Sequence, residues 1–481
     1  MRRALGVVGL AQAISFVTSF AGVIVVSRLL TPEEIGVFSV SVAFLGFAHI
    51  FREFGVSQYL IRAGSVGREQ LRAAFSVALM TSWAMALVLY LLGKPLSLFY
   101  GHAGVAEVLA LLSINFLIMP FGTPLVAMIQ RDLQFGKLAR ATIAGAVAHA
   151  VVTIAAALMG ASYLSMAYGA IASHVVKTTV LNFMRPGELF MLPGVRGVGD
   201  VLRFGSVAGL GAIVREAGAS APDLVLGRTL GFAEVAFFSR AVGLRRMLMA
   251  KVVMLVSSVY FPNFSKSVRE GGDAAALYAR SMNYMVAVTA PALLFLAIMA
   301  EPLILFLFGE QWARSVPLAT LLCLYACFTT PFQMHVSTLT AVNRVGLILR
   351  GDIIVQCLHV GVLMTSIWLS LEQVVMLMVL AYGVEAVVLQ RLLKVGLGLS
   401  FGRLMREVTP ALRLLPFAAL GPLAALAALQ QATPGPWVWL LALLAGGALS
   451  AGGWLAGVFL TGHAMADEIR LIVRKVLRRS A

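Results

Sequence analysis

Among the ionisable side chains that interrupt otherwise apolar stretches, seven stand out: Arg52, Arg215, Glu216, Asp223, Arg246, Lys251 and Glu385. A charge at mid-bilayer costs about 2.5–3.5 kcal/mol on insertion scales, so each must face protein, water or a ligand. The cations suit an anion such as a diphosphate. Arg215 is the sharpest candidate, because it falls near the middle of its apolar run. Arg52, Lys251 and Arg246 extend the same set. The carboxylates suit different work. Glu385 sits in mid-span, where a switchable charge fits proton or sodium coupling. The competing role is a hydrogen bond between helices. Glu216 and Asp223 are seven apart and share a helix face. Pro222 removes a backbone donor between them, so a kink, and hence a gate, is expected there. No Walker motif, metal-ligand spacing or nucleophile constellation accompanies these residues. The histidines are scattered, and Cys323, Cys327 and Cys357 read as packing residues. A transporter rather than an enzyme is expected, with neither cofactor nor metal.

The elements that must position these groups are membrane helices. The chain has 481 residues, 60% hydrophobic and 12% charged, with a net charge of +16. Soluble domains carry about twice that charged fraction. A basic soluble protein would suggest nucleic acid, but here the cations lie between apolar spans, which argues against it. Hydropathy gives about 14 spans, among them about 105–128, 234–260, 315–339 and 410–430. The connections then alternate in charge. One side holds only Arg28, Lys94, Arg228 and Arg314. The other holds about 26 basic residues, which puts both termini in the cytoplasm. The Pro- and Gly-rich stretch 185–203 is a linker. It separates a six-helix bundle over 1–184 from a second over 204–394. Two further helices occupy 395–462. A basic amphipathic tail, 463–481, suits the surface of anionic lipid.

The halves echo each other. Ser27–Ser39 reads SRLLTPEEIGVFS and Gly227–Ser239 reads GRTLGFAEVAFFS. Further along, Pro120-Phe121 answers Pro331-Phe332, and Arg140 answers Arg350. Six helices are duplicated in the same orientation, which is a parallel repeat about an axis along the membrane normal. The expected architecture is therefore all-α and polytopic: two bundles related by a pseudo-two-fold, plus two extra helices. Arg28, Glu34, Arg228 and Glu234 would mark matching corners at the periplasmic mouth, with Arg28–Glu34 and Arg228–Glu234 as local partners.

The run Arg28–Phe38, with Phe54-Gly55, Leu202–Gly205, Leu226–Arg228, Phe261-Pro262 and Leu307–Trp312, resembles the Wzx-type polysaccharide flippases. These belong to the superfamily that holds MATE exporters and lipid II flippases. The resemblance implies movement of an undecaprenyl-diphosphate-linked oligosaccharide from the cytoplasmic to the periplasmic leaflet of a bacterial inner membrane. It would serve exopolysaccharide, O-antigen or capsule synthesis, beside a polysaccharide polymerase and a chain-length regulator. It further implies a central cavity and a lipid-tail groove at the two unpaired helices. The rival readings are a MATE-like cation exporter, disfavoured by the mostly basic embedded charges, and a membrane polymerase or glycosyltransferase, disfavoured by the short external loops.

Overall fold

A computed structural model of the chain describes residues 2–53, 60, 67–185, 193–194, 198–431 and 435–480. Among the described residues the regular structure is all helical. The chain forms two compact units, Met1–Ala236 and Phe237–Ala481. The first holds α1 (Arg2–Leu29), α2 (Pro32–Glu53), α3 (Arg68–Tyr100), α4 (Ala103–Ile118) and α5 (Thr123–Arg131). It continues with α6 (Phe135–Leu158), α7 (Leu164–Met184) and α8 (Val198–Thr229). Helix α9 (Phe232–Arg269) begins in the first unit and runs into the second. The second unit adds α10 (Ala274–Ile298), α11 (Ala300–Phe308), α12 (Ser315–Thr329), α13 (His335–Ala341) and α14 (Val345–Met364). It ends with α15 (Leu371–Leu397), α16 (Phe401–Leu412), α17 (Leu415–Leu429), α18 (Pro436–Leu460) and α19 (Met465–Ser480).

About 20 apolar residues cross a bilayer as a helix. Among the described residues ten helical spans meet that demand, and the pair α16 and α17, bent by 42°, makes an eleventh. The chain is therefore a multi-pass membrane protein. Helices α7, α8 and α9 have 21, 32 and 38 residues, enough length, but fall outside that set. Helix α8 is continuous through Pro222.

Segments that answer each other in sequence adopt the same local structure. Met119–Phe121 and Thr330–Phe332 are each a single 3-10 turn, set between two helices. The spans expected over about 105–128 and 315–339 are thus each interrupted at a Pro-Phe pair. Leu133 and Asn343, just before α6 and α14, both take positive φ, 55° and 58°.

Small residues let helices approach where lipid supplies no hydrophobic drive. In the first unit α6 packs on α1 and α7. A Cβ on Gly169 of α7 would lie 1.8 Å from Thr153 Oγ1 of α6. In the second unit α17 and α18 form a tight pair. A Cβ on Gly453 would lie 2.2 Å from the Phe417 carbonyl oxygen, and Ser450 Oγ donates to the Ala418 carbonyl at 2.8 Å. Trp454 Nε1 donates to Ala287 O at 2.7 Å and so fastens α18 to α10.

The span expected over about 410–430 falls on the bent pair α16 and α17. Its start is a separate helix, α16, with Leu404, Val408 and Ala411 buried and Arg403 and Arg406 exposed. That spacing is amphipathic and suits a helix lying along an interface. Ser400 caps it, and Arg403 pairs with Asp273 at 2.7 Å, the residue that caps α10.

Helix α19 is held by a buried histidine. His463 Nδ1 accepts the Met465 N–H at 3.1 Å, and Nε2 meets Asn283 Oδ1 at 3.1 Å. The neutral Nε2–H tautomer satisfies both bonds. Burial pushes this imidazole below its ordinary value of 6.5. The folded state therefore favours the neutral ring, and its contribution is full above that value and is lost as pH falls below it. The expected result is faster amide exchange in Ala466–Arg470 between about pH 7 and about pH 5, after correction for intrinsic rates. His463→Gln should flatten that dependence.

Candidate functional site

The sequence echo folds into a corner in the first unit. Thr31 and Glu34 form a reciprocal cap at the start of α2. Glu34 Oε2 accepts the Thr31 N–H at 2.7 Å and its hydroxyl at 2.9 Å, while Thr31 Oγ1 accepts the Glu34 N–H at 3.3 Å. Pro32 opens the helix, where no donor is needed. Glu34 also accepts a hydrogen bond from Ser162, at the loop before α7. The second copy turns between α8 and α9 at Gly231, whose φ is 102°.

The two copies meet. A Cβ on Gly36 would lie 1.9 Å from the Phe232 carbonyl oxygen, a backbone atom that cannot swing aside. One turn away, a Cβ on Gly227 would lie 2.6 Å from Val40 Cγ2. Phe232 is buried, with the rings of His102 and Tyr100 at 5.3 and 6.3 Å. Tyr100 Oη donates to Leu224 O at 3.1 Å, and the Arg228 guanidinium lies 5.1 Å over Phe99. Val37, Val40, Leu226 and Val235 fill the remaining space and are wholly buried.

From the corner, α2 and α8 run side by side. Glu216 turns its carboxylate into this seam. Ser220 Oγ donates to Glu216 Oε1 at 2.9 Å and lies 3.4 Å from Ala43 O. A Cβ on Gly46 would fall 1.8 Å from the same carboxylate oxygen, so glycine makes the room. Asp223 is half-buried two turns nearer the corner. Arg215 points away from the seam. It is exposed, and among the described residues it makes no hydrogen bond or ion pair. It stands ~20 Å from the Arg228 end of α8, at 1.5 Å per residue. The side chains of Arg52 and Lys251 lie outside the described residues.

In the second unit the arginines of α9 divide. Arg240 lies 5.2 and 4.9 Å over the rings of Phe308 and Trp312. Arg245 lies 5.6 Å over Tyr382 of α15. Arg246, the neighbour of Arg245, is exposed. Glu385 is not alone: its Oε2 lies 3.2 Å from His359 Nε2 of α14. The His359 ring meets Tyr382 edge-on at 4.7 Å, and Tyr382 stacks on Tyr325 of α12 at 4.0 Å. Cys323 and Cys327 are buried packing groups on α12. Hydropathy in the sequence singled out Glu385 but carried no sign of His359 or Tyr325 near it, because three separate helices supply the cluster.

A multi-pass helical protein with a tightly packed corner, and with an arginine exposed in mid-helix, has the build of a membrane transporter. Residues 25–317 match the polysaccharide biosynthesis protein family, and the chain belongs to it. It is 21% identical over 334 residues to the lipopolysaccharide biosynthesis protein WzxC of Escherichia coli, covering 68% of this chain and 67% of the relative. It is 25% identical over 333 residues to the succinoglycan biosynthesis transport protein ExoT of Rhizobium meliloti, covering 69% and 67%. Among solved structures, the lipid II flippase MurJ in an inward closed conformation superposes with a TM-score of 0.71 at 11% identity, covering 94% of this chain and 98% of that one. An inward-facing multidrug MATE transporter superposes with 0.65 at 17% identity, covering 82% and 95%. The fold is therefore that of these transporters.

Proposed function

We propose that the chain moves undecaprenyl-diphosphate-linked oligosaccharide units from the cytoplasmic to the periplasmic leaflet of a bacterial inner membrane by alternating access. Family membership, the names of the relatives and the flippase-like fold support the reading. The observation that carries it is Arg215, a cation exposed halfway along α8, with no hydrogen bond or ion pair among the described residues. Such a group needs water or an anionic ligand, and a diphosphate supplies two charges. Arg246, also exposed, joins it, with Arg52 and Lys251 as further lining groups.

Counting α7, α8 and α9 as spans gives about fourteen. Charge asymmetry then puts both termini in the cytoplasm and the corner at Thr31 and Gly231 on the periplasmic side. The duplicated bundles divide at the linker 185–203. Packing of α8 on α2 is in this reading the closed periplasmic gate, with Glu216 and Asp223 on its seam and Arg28, Glu34, Arg228 and Glu234 around its rim. The apolar faces of α17 and α18, with Leu420, Leu441 and Leu444 exposed, suit a polyprenyl tail. Outward movement of two negative charges through about 100 mV, inside negative, gains roughly 4.6 kcal/mol.

The test is reconstitution in liposomes with a fluorescent undecaprenyl-diphosphate oligosaccharide and an impermeant quencher. Protein-dependent movement between leaflets is expected. Its absence across several oligosaccharides would sink the reading.

A further inference from the structure

The described part of the linker lies against α3 in the first unit. Arg72 Nη2 donates to the Pro193 carbonyl oxygen at 3.2 Å. Ser76 Oγ accepts the Gly194 N–H at 2.7 Å and lies 2.9 Å from the Gly194 carbonyl oxygen. A Cβ on Gly194 would come to 3.0 Å from Arg72 Cβ, so glycine allows this close approach.

Beside the contact is a cavity of about 460 Å³. Glu69, Arg72, Ser76, Leu79 and Met80 of α3 line it, and the two linker residues wall it. Ligand pockets run to about 300–1,000 Å³, so the space suits a small molecule or part of a larger one. The α3 residues fall three or four apart and form one stripe along the helix. Glu69 and Arg72 stand at one end of the stripe, both exposed. Leu79 and Met80 stand at the other, with Met80 exposed. The stripe continues to Trp83, which is 47% exposed. Trp83 is ~16 Å along the helix from Arg72, at 1.5 Å per residue. Helix α3 has 33 residues and is apolar enough to cross a membrane. Its charged first turns therefore lie at the level of lipid headgroups, and the apolar part of the stripe lies among acyl chains.

A groove with charge at the bilayer surface and apolar walls below fits an amphiphile. The two charges select its headgroup. A guanidinium takes a phosphate oxygen, and a carboxylate takes an ammonium. Three apart on a helix, the two side chains are neighbours, as phosphate and amine are in phosphatidylethanolamine. Other headgroups satisfy only half of the pair. The glycerol of phosphatidylglycerol brings no cation to Glu69. Choline is a cation with no N–H to donate. A diphosphate meets Glu69 as a like charge.

We propose that this groove seats one phosphatidylethanolamine, with its phosphate on Arg72, its ammonium on Glu69 and an acyl chain along Leu79, Met80 and Trp83. The bound lipid covers the place where the linker lies on α3, and so ties the Pro193–Gly194 contact to the composition of the membrane. The inference needs only the membrane span and holds whatever the cargo.

The test uses the full chain in nanodiscs of phosphatidylethanolamine and phosphatidylglycerol in fixed proportion. Bromine quenches tryptophan at close range, and the label is carried in the acyl chains of one lipid or of the other, so the mixture itself never changes. The Trp83 signal is the difference between the parent and Trp83→Phe. It is expected to be quenched more strongly by brominated phosphatidylethanolamine, with an apparent preference of about fivefold, the scale of one exposed ion pair. Glu69→Gln should bring the preference to about one, because it removes the partner of the ammonium and keeps that of the phosphate. A second measurement needs no variant. Phosphatidylcholine in place of phosphatidylglycerol should leave the preference in force. Equal quenching by both labels in the parent overturns the proposal, as does a preference that Glu69→Gln leaves unchanged or that phosphatidylcholine abolishes. Stronger quenching from phosphatidylglycerol overturns it too, and marks the groove as a site for anions.

Discussion

Gly36→Val is expected to hold the corner apart and to reduce translocation about tenfold or more, while the protein still inserts and purifies. The added side chain would begin 1.9 Å from the Phe232 carbonyl oxygen. Overpacking of this kind costs about 1–3 kcal/mol, which shifts a two-state equilibrium about 5- to 150-fold toward the separated form. A gate that cannot close stops the cycle even when the substrate site is intact. The check is a cysteine at Val40, which is wholly buried beside Gly227. In a background with Cys323, Cys327 and Cys357 replaced by serine, Val40→Cys should resist an impermeant maleimide. Adding Gly36→Val should expose it to reagent from the outer side. Equal protection in both backgrounds, with normal transport, would show that the corner does not work as a gate. Gly36→Ala serves as the graded case, since its single methyl meets the same oxygen with less bulk.

The corner was half legible in the sequence. Thr31, Pro32 and Glu34 spell a helix start, because a hydroxyl and a carboxylate three residues apart satisfy each other's backbone donors. The matched Pro-Phe pairs marked equivalent places in the two halves, but the spans drawn through them missed the 3-10 turns found there. What could not be read was which copy faces which. The contact of Gly36 with Phe232 joins residues 196 positions apart, and no periodicity reports a backbone approach of that kind. Glycine was the only mark, and a membrane helix carries glycine for several reasons.

Embedded charge marks a residue in the sequence but says nothing of the groups that cover it. Glu216 drew notice as an ionisable group in an apolar run. Its carboxylate instead finds Ser220 and the space left by Gly46, two small residues that hydropathy scores as unremarkable. Arg240 and Arg245 are covered by Phe308, Trp312 and Tyr382, rings that a linear window counts only as apolar. The bend just after Pro410 went unread for a related reason. A 19-residue average blends amphipathic α16 with apolar α17, although the period within Phe401–Leu412 differs plainly from that within Leu415–Leu429.

Arg215→Ala is expected to lower translocation of the diphosphate probe about 10- to 100-fold, the equivalent of losing one charge-assisted contact of about 1.5–3 kcal/mol. Stability should move by no more than about 0.5 kcal/mol, because the side chain is exposed. Arg215→Lys keeps the charge but not the planar fork that matches two phosphate oxygens, so it should recover only part of the rate. Two readouts separate substrate contact from gating. Inorganic pyrophosphate, a soluble mimic of the headgroup, should slow the parent and leave Arg215→Ala unaffected. The Val40→Cys labelling pattern should not change, in contrast to Gly36→Val. Normal translocation by Arg215→Leu would remove this residue from the site and return the cationic lining to Arg246, Arg52 and Lys251. Loss of transport together with exposure of Val40→Cys would assign Arg215 to holding α8 against α2 rather than to the diphosphate.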